Sequence, residues 1–124
     1  MSKPVLISLL FFLAVVIIPV PSISQDINAL MRQAEAAEKA FKDEDALAKY
    51  LEVIKYQPAN IDALCKASEL YNVLGKRFET KDKQREYYNK GKQYAEKALK
   101  VNPNNSEANF AMAISMGRMA LLSS

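Results

Sequence analysis

The sequence predicts an all-α fold: a short α-solenoid of about two and a half helix hairpins behind an N-terminal export segment. Three observations predict it. A pattern of helix, short break, helix and proline turn is written twice, ending once at Pro58 and once at Pro103. No stretch sustains the two-residue alternation of a half-buried strand. Glycine, which breaks helices, occurs only 3 times in 124 residues. Two small helices cannot bury their apolar faces alone, so a repeated helix pair implies a stack.

The N-terminal stretch reads as a secretory signal peptide over residues 1–24. Lys3 supplies a positive start, Val5 to Ile18 is apolar except for Ser8, and Pro19 and Pro21 interrupt any helix. Ser22 and Ser24 then place small residues at the −3 and −1 positions of a cleavage site before Gln25. The apolar run of 14 residues reaches roughly 21 Å as a helix, short of the hydrocarbon core of about 30 Å. Contact with a membrane is therefore expected only where this segment stays uncleaved. The expected compartment is outside the cytoplasm: periplasmic, secreted or at the cell surface.

The first helix is expected from about Ile27 to Lys42, with Asp26 as N-cap and Leu30, Ala34, Ala37 and Phe41 at helical spacing. Lys42-Asp43-Glu44 makes a break, and Asp43 is placed to cap a second helix that runs to about Tyr56. Ala46, Tyr50, Val53 and Ile54 form its apolar side. Pro58 ends it, and Asn60 caps a third helix from Ile61 to about Leu74, striped by Leu64, Ala67, Ser68 and Tyr71. From Lys76 to Lys83 charge dominates, which predicts an exposed connection. A fourth helix runs from about Asp82 to Val101, and Asn102-Pro103 stops it. A fifth, from Ser106 to about Leu122, follows the capping cluster Asn104-Asn105-Ser106.

Composition narrows the function. With 0 histidines the chain lacks the commonest general base and metal ligand. Cys65 is the single cysteine, so no internal disulfide forms, and its apolar helical setting predicts burial. Glu35 and Glu38 lie one turn apart, but Glu35 can reach Lys39 at i+4. No glycine-rich phosphate loop exists. These features predict no catalysis and no cofactor or metal. Removing residues 1–24 takes away Lys3 and no acid, lowering the net charge of +3 by one. Gln25 to Gly75 holds nine acids and six bases, whereas Lys76 to Lys100 holds nine bases and four acids. The basic segment could draw an anionic partner, but it falls below what marks a nucleic-acid binder.

Aligning the two prolines aligns much else. Ala46, Tyr50 and Val53 precede Pro58 at the offsets at which Gly91, Ala95 and Ala98 precede Pro103. Ala34 against Ala46, and Ser68 against Gly91, would bring each helix pair close together. Tyr71 supplies a large aromatic, and Tyr94 stands one position from where Ala95 lacks one. These residues, with the stretch KALKVNPNNSEA, resemble the tetratricopeptide repeat. The resemblance implies a right-handed superhelix with repeats at 27–60 and 61–105 and the first helix of an incomplete third at 106–124, all within a domain at 25–124. The prolines are 45 residues apart where the repeat spacing is about 34, which predicts an enlarged hairpin between Tyr71 and Gly91. The long second repeat followed by NPNNSEANFAMAISMGRMA also resembles the regulator of microtubule dynamics proteins.

In the repeat family, first helices line a concave groove. Carried over position by position, the groove candidates are Asn28, Met31, Arg32 and Glu35 from the first repeat. The second offers Asp62, Cys65, Lys66, Glu69 and Asn72, and the third Phe110 and Ile114. Arg32 and Lys66 together would hold an anionic group. The resemblance implies an exported, non-catalytic adaptor or scaffold that binds a protein or peptide of unknown identity. Two other readings stay open: a membrane-tethered structural subunit of an envelope assembly, and a binder of polyanions through Lys76 to Lys100. The last helix carries Phe110, Met112, Ile114, Met116 and Met119 with almost no polar face, which marks an interface. A continuing repeat array, a second copy of the chain or a client helix would each cover it, so self-association through this helix is expected.

Overall fold

The computed structural model describes residues 14–18 and 23–124. Residues 14–18 have no regular secondary structure, and Val15 to Ile18 are exposed. The rest of the predicted signal segment up to position 22 lies outside the described residues. Five helices follow in order: α1 Ile23–Lys39, α2 Asp43–Tyr56, α3 Ile61–Gly75, α4 Lys81–Val101 and α5 Ser106–Ser123. Among the described residues there is no strand. No described helix is long and apolar enough to cross a membrane. Each helix packs on its neighbour in the chain, and α5 returns to touch α3. This is the layered contact pattern of a short helical stack.

Local chemistry explains most boundaries. Asn60 and Asn105 stand just ahead of α3 and α5, and their side chains accept from the backbone N–H of Ala63 at 3.0 Å and Ala108 at 2.9 Å. Each thereby satisfies one of the donors that a helix start leaves unpaired. Thr80 caps α4 in the same way through Lys83 N–H.

The first two helices depart from expectation. Helix α1 begins at Ile23, four residues ahead of the predicted start, so Asp26 lies in its first turn instead of capping it. It ends at Lys39 because Lys42 N–H bonds Ala37 C=O and Phe41 N–H bonds Glu38 C=O, each at 2.9 Å. That paired closure requires a left-handed residue, and Phe41 takes it with φ 58°. Phe41 therefore leaves the apolar stripe and is 86% exposed. Asp43 does not cap α2; Lys42 holds the cap position without a side-chain bond. Asp43 instead receives Arg77 from beyond α3, with Glu44 beside it at 3.8 Å.

The core is built on small residues. Ala34 of α1 and Ala46 of α2 are fully buried, and Leu47, Tyr50 and Val53 extend their cluster to Ala63, Ala67 and Leu70 of α3. Around α3 and α4 the contact is closer still. Ser68 Oγ donates to the Gly91 carbonyl at 2.7 Å. A Cβ placed on Gly91 would meet Asn72 Nδ2 at 2.8 Å, Ser68 O at 3.1 Å and Ser115 Oγ at 3.2 Å. The rest of the α3–α4 seam is aromatic. Tyr71 stacks on Tyr94 at 5.5 Å and meets the edge of Tyr87 at 5.6 Å, and Tyr87 packs on Phe78 at 4.6 Å. Tyr94 thus supplies the aromatic that Ala95 lacks. With 21 residues against 14 in α2, α4 absorbs the predicted enlargement. The connection before it is anchored: Phe78 lies on Tyr87, and Gln84 Nε2 donates to Phe78 C=O at 2.8 Å.

Gly91 and Gly117 should respond oppositely to alanine. Gly91→Ala adds a methyl where main-chain and side-chain atoms already touch, and should cost about 1–3 kcal/mol. Nothing lies within 4 Å of a Cβ on Gly117, so Gly117→Ala should gain roughly 0.5–1 kcal/mol of helix stability. Thermal unfolding followed by circular dichroism checks both signs. Phe41→Gly should also raise the midpoint slightly, because it removes a side chain from a left-handed position.

Candidate functional site

Helices α1, α3 and α5 together carry two adjoining clefts. The first lies between α1 and α3, is lined by Glu35, Glu38, Lys39 and Lys66, and has a volume of about 480 Å³. The second lies between α3 and α5, is lined by Glu69, Asn72, Val73, Phe110, Ala111, Ile114 and Arg118, and has a volume of about 230 Å³. Helix α3 forms a wall of both because it sits between the other two.

The first cleft is organised around Lys66. Lys66 Nζ lies 3.4 Å from Glu38 Oε1 and 3.5 Å from Glu69 Oε2. Tyr50, from the buried side of α2, donates to the other Glu38 oxygen at 2.6 Å. Partial burial pulls the Lys66 ammonium down, but Glu69 and Glu38 outweigh it and hold the ammonium above its usual range. Burial, and then the bond to Glu38, push the Tyr50 hydroxyl far above the ordinary tyrosine range. Glu35 and Lys39 complete the lining, so the cleft's four residues carry two carboxylates and two ammonium groups.

The second cleft is mostly apolar, and two of its lining residues, Asn72 and Arg118, each carry a buried polar atom. Asn72 is 2% exposed. Its Nδ2 donates to Ser68 C=O at 2.9 Å and to Ser115 Oγ at 2.8 Å. A main-chain carbonyl only accepts, so the nitrogen must face Ser68 and Oδ1 must face away from it. Both Asn72 Oδ1 and Arg118 Nε are buried without a hydrogen-bond partner. The Arg118 guanidinium lies 5.8 Å from the Tyr88 ring centre. Val73 and Phe110 beside them are exposed, and Ile114 is half-buried.

The groove candidates therefore divide. Glu35 and Lys66 meet in the first cleft; Glu69, Asn72, Phe110 and Ile114 meet in the second. Asn28, Arg32 and Asp62 are exposed and line neither, and half-buried Met31 packs against the core. The expected Arg32–Lys66 anion site does not form, because two carboxylates already hold Lys66 and Arg32 stands apart from the cleft. Cys65 is 1% exposed and sits among Leu64, Ala98 and Ala108, so it lines no groove. Transfer of the repeat positions misses Arg118, whose one signal in the sequence is to be the only base on an otherwise apolar helix. On α5, Phe110, Met116 and Leu121 are exposed, whereas Met112, Ile114 and Met119 are half-buried.

The basic run is partly compensated within α4. Glu86 holds Lys83 at 2.9 Å and Lys90 at 3.6 Å, Asp82 holds Arg85, and Glu96 holds Lys92. Lys90 and Lys97 lie over the rings of Tyr87 and Tyr94. Among the described residues no cluster of three or more acidic, cysteine or histidine side chains could hold a metal.

A family model for regulator of microtubule dynamics protein 1-3 matches residues 30–124. The chain belongs to that family. No curated protein matches it.

Burial, with Glu107, Glu69 and Asp62 nearby, pushes the Cys65 thiol up to about 11. The folded chain then keeps a proton that the unfolded thiol, near 9.0, releases. This contribution to stability is complete below the unfolded value and fades as pH rises towards 11. Denaturant unfolding at pH 8 and pH 10.5 should show a larger alkaline loss in the native sequence than in Cys65→Ala, by roughly 1–3 kcal/mol. A thiol reagent at pH 8 should label Cys65 only once the chain is unfolded.

Proposed function

We propose that this member of the regulator of microtubule dynamics protein 1-3 family is an exported, non-catalytic adaptor of tetratricopeptide-repeat type that docks a segment of another protein against α1, α3 and α5. The observation that carries this reading is the pair of adjoining clefts on those three helices, one lined by charges of both signs and one mostly apolar. Their contents favour binding over bond-making. The thiol is buried and protonated, the lysine is tied to two carboxylates, and no nucleophile stands beside a base.

The charge of the first cleft refines the client. Glu35 and Glu38 stand beside Lys39 and Lys66, so this cleft is balanced in charge and suits a polar client segment that carries both signs. Export is supported by the apolar N-terminal run and the small residues before Gln25. The family description names regulation of microtubule dynamics; an export signal favours a different client for this chain. The exposed residues Phe110, Met116 and Leu121 also support self-association through α5. Cleavage would leave α1 two residues shorter, starting at Gln25.

Two measurements test the proposal. Mass spectrometry of the protein from its host should find a mature N-terminus at Gln25; an intact Met1 or Ser2 would support a tethered subunit instead. A photo-crosslinking amino acid at Glu35 or Ile114 should trap a protein client in cells, whereas one at Glu52 on the exposed side of α2 should not. Trapping only at Glu52 would remove the assignment of the site.

A further inference from the structure

We infer that a second copy of this chain covers the outer stripe of α5, with the two α5 helices antiparallel, so that Phe110 meets the partner's Leu121 and Ile114 meets the partner's Gly117. This goes beyond the adaptor reading above: it fixes the register of the self-association that α5 supports and sets it in competition with a client.

A glycine inside a helix weakens it. Gly91 has an evident reason to be there, because Asn72, Ser68 and Ser115 crowd the place of its Cβ. Gly117 has none within the chain: among the described residues nothing lies within 4 Å of a Cβ placed on it. It stands in a row with three large apolar residues. Phe110, Ile114, Gly117 and Leu121 follow one another at spacings of four, three and four residues. At 3.6 residues per turn they fall within about 60° of one another around the helix. Phe110 is 62% exposed and Leu121 73%; Gly117 is exposed and Ile114 half-buried. The outer stripe of α5 is therefore an apolar row with one gap in it.

The spacing reads the same in both directions, and this selects the occupant. A two-fold axis at the level of Ser115 and Met116 lays Phe110 over the partner's Leu121 and Ile114 over the partner's Gly117, each contact made twice. Ile114 then fills the gap above the glycine as a knob fills a hole between packed helices. A parallel pair would set Phe110 on Phe110 and leave the two glycines facing each other across empty space. A foreign helix needs only an apolar row; a reversible row with a matching gap specifies a copy of itself. Charge does not oppose the contact. None of the four residues is charged, and Arg118 beside them lies against the Tyr88 ring at 5.8 Å and comes opposite the partner's Ala113. From Phe110 to Leu121 the helix rises roughly 16 Å. A face that short and one helix wide cannot supply the roughly 1,200–2,000 Å² that stable complexes bury, so the pair is weak and depends on concentration. Phe110 and Ile114 also line the second cleft, so a second copy and a client there exclude each other.

Sedimentation equilibrium of the intact protein should show monomers at about 1 µM and dimers by about 500 µM. Gly117→Leu fills the gap with a side chain that favours helix and meets open space within the chain. It should keep the circular-dichroism spectrum and weaken dimerisation by about tenfold or more. Disulfide trapping reads the register. When Phe110→Cys and Leu121→Cys proteins are mixed and oxidised, the product joining position 110 to position 121 should outweigh either symmetric product by about tenfold. Cys65, at 1% exposure, stays out of the reaction. The inference is overturned if the intact protein is monomeric at about 500 µM, if Gly117→Leu dimerises as well as the unaltered chain, or if Phe110→Cys couples to itself in preference to Leu121→Cys. Client trapping without self-association would leave the adaptor reading standing and remove this one; self-association in this register without a client would do the reverse.

Discussion

The structure depends on one crowded contact. Ser68 of α3, Gly91 of α4 and Ser115 of α5 meet around the Asn72 amide, with polar distances of 2.7–2.9 Å. The helices can approach this closely only because α4 presents no side chain at Gly91. The same contact buries Asn72 deeply enough to leave its carbonyl oxygen unsatisfied. The side chain that ties α3 to α5 is also the one whose spare acceptor faces no protein partner.

Much of the stack was legible in the sequence, for identifiable reasons. Prolines and asparagine caps punctuate helices through strictly local chemistry, so the boundaries around α3 and α5 followed directly. The Ser68–Gly91 approach and the role of Tyr94 followed from aligning the two prolines, because the repeated packing puts small residues at the same offsets. What failed was closure decided by alternatives of similar energy. Phe41 has helical spacing, yet the chain reverses there through a left-handed residue that is rarely aromatic. Asp43 has the chemistry of a cap, yet Arg77, 34 residues later, draws it into an ion pair that no local pattern reveals.

The candidate site was less legible than the fold. Position-by-position transfer places residues on a face, but not at a depth. It therefore assigned Cys65 to a groove although the adjacent Leu64, Ala98 and Ala108 enclose it. It also paired Arg32 with Lys66 as an anion site, whereas Glu38 and Glu69 compensate Lys66 across two helices. Arg118 escaped notice because its place on the second cleft, against the Tyr88 ring, becomes visible only once its neighbours are placed.

The most direct measurement of the central contact is amide hydrogen exchange across the chain. If the contact around Gly91 organises the stack, the slowest amides will lie in α3, in α4 about Gly91, and in α5 about Ser115, and these three segments will open together as denaturant is added. Exchange of the Ser115 region at the rate of a frayed terminal helix, while α3 and α4 remain protected, would show that α5 is not held by this contact and would contradict the account.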